Sequence, residues 1–112
     1  MHELAIARNI VELVTEAARG RRVHRITLEI GKLSGVAPEC VAFCFPEVAR
    51  GTPVEAAELE IREIEGRARC ESCGGEFPLP DLTAICPCGS LHLRPVTGEE
   101  LSVKCIEVEE AC

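Results

Sequence analysis

The first three residues, Met1, His2 and Glu3, carry donors that close small adjoining rings on one ion. The free α-amine, the His2 backbone nitrogen and the His2 imidazole can all reach the same metal, and the Glu3 amide nitrogen can supply a fourth corner. Four nitrogens in a plane suit Ni(II) or Cu(II). A second set of donors lies far along the chain. Cys70 and Cys73 have two residues between them, Cys86 and Cys88 have one, and a dozen residues separate the pairs. Two close cysteine pairs at this distance predict a structural zinc site with four thiolate ligands. Pro87 favours an extended Cys86, and alternate residues of an extended chain project to one side, so both sulfurs can reach one ion without the usual turn. His92 is the reserve ligand.

The elements that must position these groups are readable from periodicity. Leu4 to Ala18 carries apolar residues at Leu4, Ala7, Ile10, Val11, Val14, Ala17 and Ala18, the stripe of an amphipathic helix. The amino-terminal donors are therefore mounted at a helix start. Glu3 also suits that position as a plain helix-start charge, Arg19, Arg21 and Arg22 suit the end, and Gly20 is a stop. Val23 to Ile30 alternates, with Ile26, Leu28 and Ile30 on one face and Arg25, Thr27 and Glu29 on the other, which predicts a strand with one buried face. His24 has the phase of the buried face and is expected to be partly buried.

After a loop from Gly31 to Ala37, Pro38 opens a second helix whose apolar face is Val41, Cys44, Phe45 and Val48. Pro46 predicts a kink or two short helices. Cys40 and Cys44 are expected to fill space as small apolar side chains. Thr52 to Ala57 is a link. Glu58 to Glu65 reads as a second strand, in which Ile64 breaks the phase of Leu59 and Ile61. In the last strand Ile106 and Val108 break the phase of Leu101, Val103 and Cys105. Two strands with matching phase breaks are expected to pair across a bulge. The last strand would then return to the first sheet, leaving residues 67–95 as an excursion too short to bury a core and organised by its metal.

The 112-residue chain is one domain by length, with room for a small second module. Eight cysteines without a secretory signal point to metal binding in a reducing compartment, and so to the cytoplasm. A net charge of −7 argues against a general nucleic-acid binder, and no apolar run approaches the length of a membrane span. Three readings compete: a nickel carrier, a zinc-ribbon adaptor in which His2 is incidental, and a thiol redox protein using Cys70 and Cys73. No nucleophile and base are arranged in a way that calls for catalysis.

With these pieces assembled, the chain resembles the HypA/HybF family of hydrogenase nickel-incorporation proteins. The resemblance rests on Met1-His2-Glu3-Leu4, the run from Gly31 through Leu33 and Gly35 to Val36, Ala42-Phe43, the two cysteine pairs, Cys88-Gly89-Ser90 and the ending from Gly98 to Val108. It implies an α+β fold, a small mixed or antiparallel sheet with two helices, interrupted by a four-cysteine zinc ribbon. The nickel domain would comprise residues 1–66 and 96–112, and the ribbon 67–95. It further implies a non-enzymatic nickel metallochaperone that binds Ni(II) transiently through His2 and the adjacent backbone. Zn(II) would be held by Cys70, Cys73, Cys86 and Cys88. The implied partners are a nickel-handling GTPase and the large subunit of NiFe hydrogenase, with a homodimer left open and neither nucleic acid nor membrane as partners. The single residue between Cys86 and Cys88 departs from the family's two. Gly74 and Gly89 stand where some members carry histidines.

Overall fold

The computed structural model describes residues 3–81 and 83–109. The expected nickel ligand His2, the Met1 amine and Cys112 lie outside those residues.

The first helix, α1 (Glu3–Ala18), buries Ala7, Ile10, Val11, Val14 and Ala18, as its periodicity requires. It ends on two left-handed residues, Arg19 at φ 53° and Gly20 at φ 81°. The Arg21 guanidinium donates to the Ala18 carbonyl at 3.2 Å, covering one of the acceptors that a helix end leaves open. Strand β1 (Val23–Gly31) follows and becomes the centre of the first sheet. Helix α2 (Pro38–Ala49) then leads to β2 (Glu58–Ile64), which pairs with β1 in parallel from Arg25↔Glu58 to Gly31↔Ile64. A helix between two parallel strands is the ordinary crossover connection.

Strand β3 (Arg67–Cys70), β4 (Glu76–Pro78) and β5 (Leu93–Thr97) form a separate antiparallel sheet in the order β4-β3-β5. The chain then returns as β6 (Leu101–Val108), antiparallel to β1, and completes the mixed sheet β2-β1-β6. Both helices pack on one face of it. Ile26, Leu28 and Ile30 of β1 meet Ile10, Val11 and Val14 of α1 and Val41, Phe45 and Ala49 of α2 in one aliphatic core. On the opposite face Arg25 reaches Glu58 and Glu60 of β2 at 3.2 Å each and Glu107 of β6 at 3.5 Å.

Several sequence expectations need correction. β2 and β6 do not pair; each pairs with β1, which lies between them. The bulge exists, but on the β1–β6 ladder. Thr27 faces Cys105 while Leu28 faces Val103, so Lys104 is the extra residue, and that explains why Val103 and Ile106 both reach the core. A second shift lies at the other end: Val23 faces Val108 and Arg25 faces Glu107, leaving His24 as the extra residue. Val23 turns inward at 0% exposure and His24 is exposed, not partly buried. Pro46 does not split the second helix; α2 runs through it. Burial of Val41, Phe45 and Ala49 on one stripe spans the proline and outweighs the missing donor. Cys40 is exposed and fills no space, while Cys44 is half-buried. The link from Thr52 to Ala57 contributes to the core, because Val54 is 0% exposed. Thr52 Oγ1 donates to the Ala49 carbonyl and the Pro53 carbonyl accepts from Val23, and these bonds seat that turn against the sheet.

The two sheets meet at a neck built from glycines. A Cβ on Gly31 would stand 1.9 Å from the Gly98 carbonyl oxygen, and one on Gly66 would stand 2.3 Å from that of Leu79. Gly98 itself has φ 109°. Leu33 donates its N–H to the Gly98 carbonyl, and its side chain sits beside Gly66 and Gly98.

Candidate metal centre

Each cysteine pair sits on a tight turn. In the first, the Gly74 N–H donates to the Cys70 carbonyl at 2.9 Å and the Cys70 N–H donates to the Gly75 carbonyl at 2.8 Å. In the second, the Gly89 N–H donates to the Cys86 carbonyl at 2.8 Å and the Cys86 N–H donates to the Ser90 carbonyl at 3.2 Å. The second pair therefore has a turn after all, one residue tighter than the first. Gly74 at φ 76° and Gly89 at φ 93° supply the left-handed position that closes each. This is how a pair with one intervening residue matches a pair with two.

The turns bring four sulfurs together. Cys70 Sγ lies 3.7 Å from Cys88 Sγ, and Cys73 Sγ lies 3.7 Å from Cys86 Sγ. All four lie within 4.8 Å of one another. A tetrahedral ion with Zn–S bonds near 2.3 Å needs sulfurs about 3.8 Å apart, so the set fits. Three backbone amides point at sulfur: Cys73 N to Cys70 Sγ, Gly75 N to Cys73 Sγ and Cys88 N to Cys86 Sγ, each at 3.4 Å. Such donors stabilise thiolate. The Cys73 amide leads the effects that pull the Cys70 thiol down to about 6. At Cys86 the Cys88 amide also pulls down, but burial and the neighbouring sulfurs outweigh it and push the thiol up to about 12. Four thiols crowded together resist full ionisation, and a divalent cation relieves that resistance.

Cys70 and Cys86 are buried, whereas Cys73 and Cys88 are exposed, so the cluster is open on one side. Ser72 and Ser90 join hydroxyls at 2.9 Å and tie the two turns to each other. This link escaped the sequence reading, although serines beside both pairs were its signal. His92 is exposed and is not among the grouped donors; its backbone carbonyl accepts from Glu71 and its N–H donates to Ser90 Oγ. Around the sulfurs the ribbon has little core of its own: Ala68 and Leu79 are its buried apolar side chains besides the cysteines, among the described residues.

At the amino-terminal end, Glu3 heads α1, and its Oε2 accepts the Ala37 N–H at 3.4 Å, just ahead of α2. The helix-start role expected of Glu3 is thus present together with a tie to the loop before α2. Among the described residues, His24 is exposed, on the strand-end bulge.

Two helices on a mixed sheet, with a four-cysteine ribbon inserted before the last strand, define a small α+β protein with a metal-binding group. The family profile described as HypA, hydrogenase/urease nickel incorporation, metallochaperone, matches residues 1–108. The chain is 56% identical over 112 residues to the hydrogenase maturation factor HypA of Nostoc sp., covering 100% of this chain and 99% of that one. It is 49% identical over 110 residues to the factor of the same name from Geobacter metallireducens, covering 97% and 100%. The chain belongs to the HypA family. The solution structure of the Ni metallochaperone HypA from Helicobacter pylori shares the fold, with a TM-score of 0.72 at 21% identity over 96% of this chain and 97% of that one.

Proposed function

We propose that the chain carries one Ni(II) at its amino terminus and delivers it to the large subunit of a NiFe hydrogenase, together with a nickel-handling GTPase. The family match over residues 1–108 is the observation that carries this reading. The nickel ligands are the α-amine, the amide and imidazole nitrogens of His2, and the amide nitrogen of Glu3. Glu3 is the first residue of α1, so its amide nitrogen lies at the helix start. Nickel is cargo, and the protein's part is to bind and release it without a chemical step.

Cys70, Cys73, Cys86 and Cys88 hold a structural Zn(II), and residues 67–95 fold around it as a unit distinct from 1–66 and 96–112. The sulfur spacings and the amide donors support zinc here, because a tetrahedral ion with four thiolates asks for that geometry. Thiolates held for metal favour a reducing compartment, and the proposed location is the cytoplasm. The net charge of −7 weighs against nucleic acid as a partner.

Metal analysis of untagged protein tests the reading. One tightly held zinc and one exchangeable nickel per chain are expected. Zinc alone, with no nickel uptake, would make the chain a zinc-ribbon adaptor. No metal and a reversible Cys70–Cys73 disulfide would make it a redox protein.

A further inference from the structure

The core takes one side of α2 and leaves the other unexplained. Val41, Phe45 and Ala49 are buried. Phe43 lies on the opposite side, and its ring is 85% exposed, the highest value among the exposed large apolar residues. Ala42 and Pro46 are exposed on either side of it. One exposed aromatic would be ordinary; the polar groups around this one are not. Pro46 has no N–H, so the Ala42 carbonyl cannot receive the usual bond from four residues on. Glu39 and Glu47 flank the ring at helical spacing and add carboxylates. Among the described residues of the face, the cation Arg50 is paired with Glu47 at 2.8 Å. Among the described residues, the face therefore offers one large ring beside the Ala42 carbonyl, the Glu39 carboxylate and a Glu47 carboxylate already held by Arg50.

We infer that the Phe43 face of α2 is a protein-docking surface whose partner closes an apolar pocket over the ring and rims it with Arg or Lys side chains. Those side chains supply donors to the Ala42 carbonyl and to Glu39, and add to the one that Arg50 gives Glu47. Aromatic anchors ringed by polar groups dominate binding energy at interfaces, and complementary charge sets the approach. A second copy of this chain would bring the same acceptors against acceptors, and an anionic membrane would meet carboxylates, so neither complements the face.

The inference rests on the carrier reading for the identity of the partners to be tried. Nickel-loaded wild-type protein, Phe43→Ala, Phe43→Leu, and Glu39→Gln with Glu47→Gln are titrated separately against the hydrogenase large subunit and the GTPase. Helix content and zinc content should be unchanged in every variant, because none of these side chains is in the core. For one of the two proteins, Phe43→Ala should weaken binding at least about tenfold, and Phe43→Leu should recover part of the loss. The double glutamine variant should weaken binding and flatten its salt dependence. If a partner binds wild type and Phe43→Ala equally, and the other does not bind, the docking surface is wrong and the carrier reading stands. If neither binds wild type, both the partner assignment and the surface fall. Sedimentation showing a wild-type dimer that Phe43→Ala dissolves would give the face to a second copy and overturn the inference.

Discussion

Between Cys86 and Cys88 there is one residue where the first pair has two, and the backbone absorbs the difference. The Gly89 N–H closes its turn on the Cys86 carbonyl one position earlier than Gly74 does on Cys70. Sulfur spacing is thereby the same across both diagonals, 3.7 Å. All-sulfur coordination follows for the proposed zinc. X-ray absorption at the zinc edge should fit four sulfurs near about 2.3 Å, unchanged in His92→Ala. A nitrogen ligand that disappears in His92→Ala would put His92 in place of one thiol. The four cysteines were legible because metal-ligand spacing is a local property of the sequence. The turn of the second pair was not, because it depends on Gly89 adopting φ 93° and on a hydrogen bond that spacing does not encode. His24 was misread for a related reason. Strict alternation places it with Ile26, and only a bulge opposite β6, a feature of pairing between distant segments, turns it outward.

Among the elements, those with internal periodicity were read closely. α1 begins and ends within a residue of its expected span, and β1 buries Ile26, Leu28 and Ile30 as expected, although Thr27, expected on the open face, is buried too. The pairing of β2 was misread because its partner is chosen by the crossover through α2 and not by its own phase. Of the two outcomes expected at Pro46, division into two helices does not occur, because Val41, Phe45 and Ala49 are buried along one stripe that spans it. The neck was legible only as two glycine punctuation marks around Leu33. In the structure Gly31 and Gly98 are in backbone contact where the two sheets join. Gly31→Ala would drive a methyl group into the Gly98 carbonyl, and neither is free to move, because Gly31 also donates its N–H to Glu100. The substitution should cost more than about 3 kcal/mol of unfolding free energy, the range of changes that force backbone apart. Gly35→Ala is the control for the loop: nothing lies within 4 Å of its Cβ, so its cost should be confined to strain at φ 79°. Equal denaturation midpoints for Gly31→Ala and wild type would show that the neck yields.

As a whole the molecule is long and thin, 57 × 30 × 17 Å, with a radius of gyration of 17.3 Å. A compact chain of about this length has a radius near 13 Å, so the two sheets do not share one core. Separate organisation of the two sheets is the expected consequence. Cys73→Ala should abolish zinc binding and leave amides 67–95 unprotected from hydrogen exchange, while α1, α2 and the β2-β1-β6 sheet keep their protection. Retained protection of the ribbon in that zinc-free variant would mean that Ala68 and Leu79 suffice to organise it. The family and much of the architecture were legible because motifs spread from Met1 to Val108 act together. The proposed nickel site would use Met1 and His2, and its chemistry makes the decisive test simple. Coordination by this set requires a neutral imidazole, a neutral amine and two deprotonated amides. Affinity should therefore rise with pH, and the complex should be square-planar and diamagnetic. Glu3→Gln keeps the backbone nitrogen and should change little. The most direct measurement is nickel titration, with its optical spectrum, of untagged protein before and after amino-terminal acetylation, beside His2→Ala. Acetylation and His2→Ala should each abolish the square-planar spectrum and nearly all affinity. Acetylated protein that binds nickel with unchanged affinity and spectrum would contradict it, because the α-amine would then not be a ligand.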